Sequence, residues 1–388
     1  MKRQFAETVL LAAIVFITGL LLWSFLGQDY TYKRYETGTV HYVKAKTAEI
    51  LEQELTVSGT DGEYLTGYQK LRIILLVGDK KGQELELEYY VTVQHHVIAK
   101  EGGRLLICAD EPDNGEPYYT VYNYDRGTGI WLLIGGFLLL AVLVGRKQGL
   151  LSCVGLLFTM AMVICFLLPR LYNGGGVGAA FVTVAASCMV TCFCIGGLSK
   201  KTGFNIISAV LGSLSAGGIY RLCASLLRLT GCSMDEGDSL VLIAQATGLK
   251  LESVLYSGIM ISSLGAVMDV AVSMGASLGE IDTLNPELSG LELFHSGMNI
   301  GRDMIGTMTN TLILAFAGSS LATLLIFISY GVQYEQLLSS NFLALELSQG
   351  LSGSAAVILT VPISAAVNAI GYGYLHRKKD NINMEERI

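Results

Sequence analysis

Asp269 lies in the stretch Gly265-Ala-Val-Met-Asp269-Val-Ala-Val-Ser273, inside a run from 251 to 274 that is otherwise mostly apolar. A carboxylate in such a run is costly, so it is expected to face a cavity or the interior of a helix bundle. Helical spacing puts Gly265, Asp269 and Ser273 on one face, with Ser262 close to it. The next apolar run opens on Gly301-Arg302-Asp303-Met-Ile-Gly306-Thr307-Met-Thr309-Asn310-Thr311. By helical rise, Asp269 lies about 7–8 Å inside its run, and Thr307 and Asn310 lie about 6–10 Å inside theirs. The two polar patches can therefore meet at one depth.

Two kinds of chemistry suit that meeting. A desolvated carboxylate beside hydroxyls could carry a proton, or with two or three more oxygen ligands could hold a small cation. Asp269, Ser273, Arg302, Asp303, Thr307 and Asn310 are the coupling or ion-binding candidates, and Gly265, Gly306 and Pro362 the packing or gating ones. The plainer alternative is an interhelical clamp, for example Asp269 paired with Arg302. His295 is a further candidate, as a proton relay to Asp269 or simply a solvated side chain.

The rest of the chain offers less. Ser208, Gly212 and Ala216, then Ser213 and Gly217, make a four-residue packing seam. Pro362 frees a carbonyl near the middle of its run, with Asn368 beyond it. Gly174-Gly175-Gly176-x-Gly178 lacks the Lys-Ser/Thr of a P-loop. Asp235-Glu236-x-Asp238 reads as a solvated loop. No Ser/His/Asp set, HExxH or Walker motif is present, so no enzyme, no cofactor and no metal centre are expected. Six of the eight cysteines lie in or beside apolar runs, where Cys is a small hydrophobe. Only Cys108 and Cys232 fall in polar segments, and their pairing is left open.

The elements that must position these residues are membrane helices. Of 388 residues 52% are hydrophobic and 15% charged, against roughly 25% charged in soluble domains. Mean hydropathy is +0.51. The net charge of -7 argues against a nucleic-acid partner. A first apolar run at 9–26 follows Lys2 and Arg3, and with Trp23 and Phe25 near its end it reads as an uncleaved anchor rather than a signal peptide. Seven more follow at about 130–145, 149–169, 177–198, 203–229, 251–274, 303–330 and 351–375, each of a length suited to spanning a bilayer. With the N-terminus inside, Arg146, Lys147, Lys200, Lys201, Arg302, Arg377, Lys378 and Lys379 all lie at cytoplasmic ends. Eight spans therefore return the basic C-terminal tail, 377–388, to the cytoplasm. Residues 288–300 read as a separate interfacial helix on that side.

Residues 27–128 are polar, with 17 acidic and 11 basic residues. Stretches 40–45, 71–76, 85–93 and 118–124 are strand-like, separated by Asp61-Gly62, Gly78-Asp79, Gly102-Gly103 and Asp113-Asn114-Gly115. Five or six short strands suit a small OB-like or SH3-like barrel. His95-His96 falls on an expected strand, whose alternation sends the two to opposite faces. The expected architecture is thus an α-helical polytopic membrane protein of about eight helices: an anchor at 1–26, an extracytoplasmic all-β domain at 27–128, and a seven-helix domain at 129–376.

Single anchor, acidic β-domain and seven spans carrying Leu264-Gly-Ala-Val-Met-Asp269-Val-Ala-Val-Ser273 and Ser296-Gly-Met-x-Ile300-Gly-Arg-Asp303-x-x-Gly306-Thr-Met-Thr-Asn310-Thr-Leu-Ile-Leu together resemble the YibE/F family of bacterial multi-pass membrane proteins. The resemblance covers nearly the whole chain and is tightest in spans six and seven. It implies a bacterial, chiefly Gram-positive, plasma membrane and carries no established activity. An Asp-bearing span, an interfacial helix and a Thr-bearing span are also similar to proton-driven RND-type and protein-export subunits, which place their Asp in span four rather than span six. The expected function is a proton- or cation-coupled transporter or transport subunit, with the bilayer, a small solute or ion, and a protein at the β-domain as partners. The rival is a non-transporting assembly or envelope-sensing protein.

Overall fold

The computed structural model describes residues 2–27, 39–58, 64–78, 80–112, 115–234 and 237–385, without the side chains of 2–6 and 377–385. Asp61-Gly62, Asp79, Asp113-Asn114 and Asp235-Glu236 lie outside the described residues, as do the side chains of Lys2, Arg3, Arg377, Lys378 and Lys379. The chain divides into two compact units, 31–140 and the remainder.

In the first unit five strands form an open half-barrel: β1 (Val40–Ser58), β2 (Tyr64–Leu75), β3 (Glu84–Val91), β4 (Arg104–Asp110) and β5 (Tyr118–Tyr124). Their order is β3-β2-β1-β4-β5, and every pairing is antiparallel. β1 is long because it serves both halves: Val40 to Lys46 pair with β4 and Ala45 to Ser58 with β2, with register shifts at Thr47/Glu49 and Ile50/Glu52. Such bulges bend a strand and let one sheet curl around its own core. That core is Ala45, Leu71, Ile73, Leu87, Leu105 and Ile107 with their neighbours. The strand Arg104–Asp110 was not among those expected, and β1 and β2 run well beyond 40–45 and 71–76. Charges at the outward positions, such as Glu49, Arg72 and Glu86, disguise them; Arg72 bridges both glutamates across three strands at 2.6 and 3.1 Å. His95 lies in a bend and His96 just after it, neither on a strand, and His95 Nε2 lies 2.8 Å from the Val121 carbonyl.

The second unit is helical. α1 (Lys2–Leu26) packs through Ile14 beside Phe158, Met162 and Phe193. α2 (Gly127–Ala161), whose residues up to Leu140 belong to the first unit, contains a break at Arg146, whose φ of 49° and ψ of -130° are not helical. A Cβ on Gly149 would overlap the Ala141 carbonyl oxygen, although eight residues of straight helix would separate the two by about 12 Å. The chain therefore folds back here, which splits one apolar stretch into the two runs read from the sequence. A π-helical turn (Met162–Leu167) leads into α3 (Leu168–Tyr172).

α4 (Gly178–Gly196), α5 (Lys200–Leu227), the short α6 (Gly237–Thr247), α7 (Leu251–Leu284), α8 (Gly290–Ser319), α9 (Leu321–Ser329), α10 (Tyr334–Leu338) and α11 (Asn341–Glu385) complete the unit. Among the described residues six stretches are long and apolar enough to cross a membrane: Glu7–Leu26, Gly127–Tyr172, Gly178–Gly196, Lys200–Leu227, Leu251–Leu284 and Asn341–His376. The pair α8 and α9, bent by 54°, makes a seventh when counted as one. α5, α7 and α11 form the centre, with α4 and α8 against them.

The separate helix expected at 288–300 is instead the first half of α8. Ser289 and Glu292 form a capping box that starts the helix there. No breaker stops it at Gly301, because that glycine fits against Val361 of α11. α7 likewise runs on to Leu284 rather than ending near 274. His376 Nε2 and Asp282 Oδ1, 2.8 Å apart, tie the ends of α11 and α7. α11 continues through Pro362.

Candidate functional site

α7 sorts its residues sharply by face. Val267, Val270, Ala271, Met274 and Leu278 are buried. Gly258, Ser262, Gly265, Asp269, Ser273 and Glu280 form a stripe left exposed by the described residues. On one flank Ile261 and Met268 join the apolar cluster of α4 (Ala180, Val184, Cys188). On the other, Ala266 joins the cluster of α8 (Met304, Ile305, Met308). The stripe thus floors a groove between α4 and α8.

Of the two placements expected for Asp269, a cavity or the bundle interior, its exposure on this stripe favours the groove. The spacing correctly put Gly265, Asp269 and Ser273 on one face, but spacing alone does not say which way that face turns. Asp269 makes no hydrogen bond or ion pair with a described residue. The clamp to Arg302 does not form, since Arg302 Nη1 donates to Asn299 Oδ1 at 3.0 Å on its own helix.

Gly297 of α8 packs against Leu278 of α7, 3.2 Å from a Cβ placed there. Counting equal steps along the two helices from that contact brings Asp269 level with Gly306. Thr307 and Asn310 lie within about a turn of it. Arg302, Asp303, Gly306, Thr307 and Asn310 are all exposed, and Thr307 spends its hydroxyl on the Met304 carbonyl at 3.1 Å. These residues share a level with Asp269 without bonding to it. His295 belongs to the level of Glu280, about 16 Å from Asp269 along the helix axis, so no direct relay joins them.

The bundle interior carries a second polar feature. Asn205 and Ser208 of α5 and Ser354, Ser364 and Asn368 of α11 are buried, each with a side-chain oxygen that meets no partner among the described residues. Asn205 Oδ1 fills the space a Cβ on Gly275 would need, and Phe204 does the same at Gly371. The sequence marked Ser208 and Asn368 but passed over Asn205.

The third feature is a cavity of about 290 Å³ where α5 ends and α7 begins. Tyr220, Arg221 and Ser225 line it from α5, and Glu252, Ser253 and Tyr256 from α7. Arg221 was legible in the sequence as a charge inside the run 203–229.

A β half-barrel and a bundle of long apolar helices, one of them with a polar stripe, define a membrane-type helical protein with an appended β-domain. The family model for YibE/F-like proteins matches residues 133–373, and the chain belongs to that family. No curated protein and no solved structure matches it.

Proposed function

We propose that the chain is a proton- or cation-coupled membrane transporter or, more specifically, a subunit of one, with eight spans. The fold-back at Arg146 and the bent α8–α9 pair support that count. The observation that carries the functional reading is the unpaired Asp269 on a polar stripe along a spanning helix. A carboxylate so placed is too costly to leave against lipid tails, so the stripe belongs against water, an ion or another subunit. Protonation or cation binding at Asp269 would then bias how α7 and α8 sit against that neighbour. The buried oxygens of Asn205, Ser208, Ser364 and Asn368 give the bundle a polar interior as well.

The rival, a docking or sensing protein, draws on the β-domain. Tyr42 and Tyr122 are outward-facing and stack edge-on at 4.8 Å, the amphipathic kind of surface that partners use. The strand order β3-β2-β1-β4-β5 favours an OB-like over an SH3-like barrel, opened between β3 and β5.

Proton flux driven by a pH gradient in proteoliposomes tests the proposal. Flux in the wild type that vanishes in Asp269→Asn, with the variant still folded, is the expected result. Full flux in Asp269→Asn would remove Asp269 from the mechanism. No flux in either protein would shift weight to the docking reading.

A further inference from the structure

The cavity between the ends of α5 and α7 is lined by both a guanidinium and a carboxylate. Arg221 and Glu252 line the same space, yet they form no ion pair with each other or with any described residue. Opposite charges on one wall would ordinarily close on each other. Unpaired with each other, they present a cation and an anion to whatever enters.

The rest of the wall fits an organic guest. The Tyr220 and Tyr256 rings stand edge-on, 6.1 Å apart. Gly217 lets Tyr256 lie close against α5, since a Cβ there would overlap the Tyr256 hydroxyl. Leu229 and Leu255 supply an apolar patch. Arginine binds carboxylates through two parallel hydrogen bonds, and an ammonium is held by a carboxylate and by the face of a tyrosine ring. At about 290 Å³ the space is at the small end of ligand pockets.

We propose that this cavity binds a small zwitterion, an amino acid with an apolar side chain, carboxylate on Arg221 and ammonium on Glu252. The site is separate from Asp269 and does not depend on the coupling reading. Under the eight-span topology it opens to the extracytoplasmic side.

The test is binding, read as thermal stabilisation of the full chain in detergent, with L-leucine and L-alanine as probes. 4-Methylpentanoate keeps only the anion and isoamylamine only the cation. L-Leucine should stabilise the wild type, and each single-charge analogue should bind about tenfold or more weakly, the worth of one charge-assisted hydrogen bond. Glu252→Gln should lose the preference for L-leucine over 4-methylpentanoate, and Arg221→Gln that over isoamylamine. The analogue series on the wild type decides the matter even if a variant fails to fold. No response to either amino acid overturns the proposal, as does equal binding of L-leucine and its analogues. Phosphatidylethanolamine also joins an anion to an ammonium. Stabilisation in phosphatidylethanolamine nanodiscs over phosphatidylglycerol ones, without any response to the amino acids, would assign the cavity to a lipid headgroup and overturn it too.

Discussion

At the scale of single residues, the β-domain is locked by Gln69 and Tyr89, two buried polar side chains in an apolar core. The Tyr89 hydroxyl lies 2.7 Å from the Val97 carbonyl, and Gln69 Oε1 accepts from the Ala99 amide at 2.9 Å. Together they fasten the strandless segment after β3 to the sheet. Tyr89→Phe takes the hydroxyl donor from the buried Val97 carbonyl and should destabilise the domain by about 1–3 kcal/mol. Burial pushes the Tyr89 hydroxyl up to about 12, from 10.0. A raised folded value means the unfolded chain gives up its proton first. The contribution of Tyr89 is therefore complete below pH 10 and is lost as pH climbs towards 12. Hydrogen exchange of amides 64–110 in the full chain checks both points. Protection should fall in Tyr89→Phe, and its alkaline loss should flatten. If the exposed control Tyr90→Phe behaves the same way, the lock is not real. Asp269 was legible in the sequence because one charge in an apolar run declares itself. That Arg221 and Glu252 share a cavity was not, since they lie on different helices and only packing brings them together.

At the scale of elements, the apolar runs marked the helices long and apolar enough to cross a membrane, because apolar length is a local property. Where helices end was less legible. The capping box at Ser289 and the fit of Gly301 against Val361 decide that α8 is continuous, and the second of these is a tertiary fact. The small residues of α5 were readable as a packing seam, and the structure supplies what they pack against. A Cβ on Gly212 would overlap Thr360 Oγ1 of α11 and lie 2.7 Å from Val267 Cγ1 of α7. Gly218, on the other side of α5, has nothing within 4 Å. Gly212→Leu should therefore wedge the three central helices apart, at a cost of about 1–3 kcal/mol or more. Gly218→Leu should be near neutral or mildly stabilising, since it replaces a helical glycine. Thermal unfolding in one detergent compares the pair. Equal losses in both variants would mean that α5 does not pack on α11 and α7 as described.

At the scale of the whole molecule, the question is which apolar stretches cross and in what sense. The fold-back at Arg146 matters most, because a single crossing by 127–172 would change the parity of everything after it. Arg146 and Lys147 sit in that reversal, and cationic residues favour the cytoplasmic side. Lys200 and Lys201, two crossings later, fall on the same side only if 127–172 crosses twice. Eight crossings then leave both termini inside and the β-domain outside. Thiol labelling with a membrane-impermeant maleimide on intact cells tests this, in a background where Cys108 and Cys232 are replaced by serine. Lys81→Cys, on an exposed turn of the β-domain, should label at once. Lys200→Cys, exposed at the start of α5, should label only after lysis. Labelling of Lys200→Cys in intact cells together with Lys81→Cys would make the number of crossings between them even. The reversal at Arg146 would then be a kink within one span, and the mouth of the Arg221–Glu252 cavity would open to the cytoplasm.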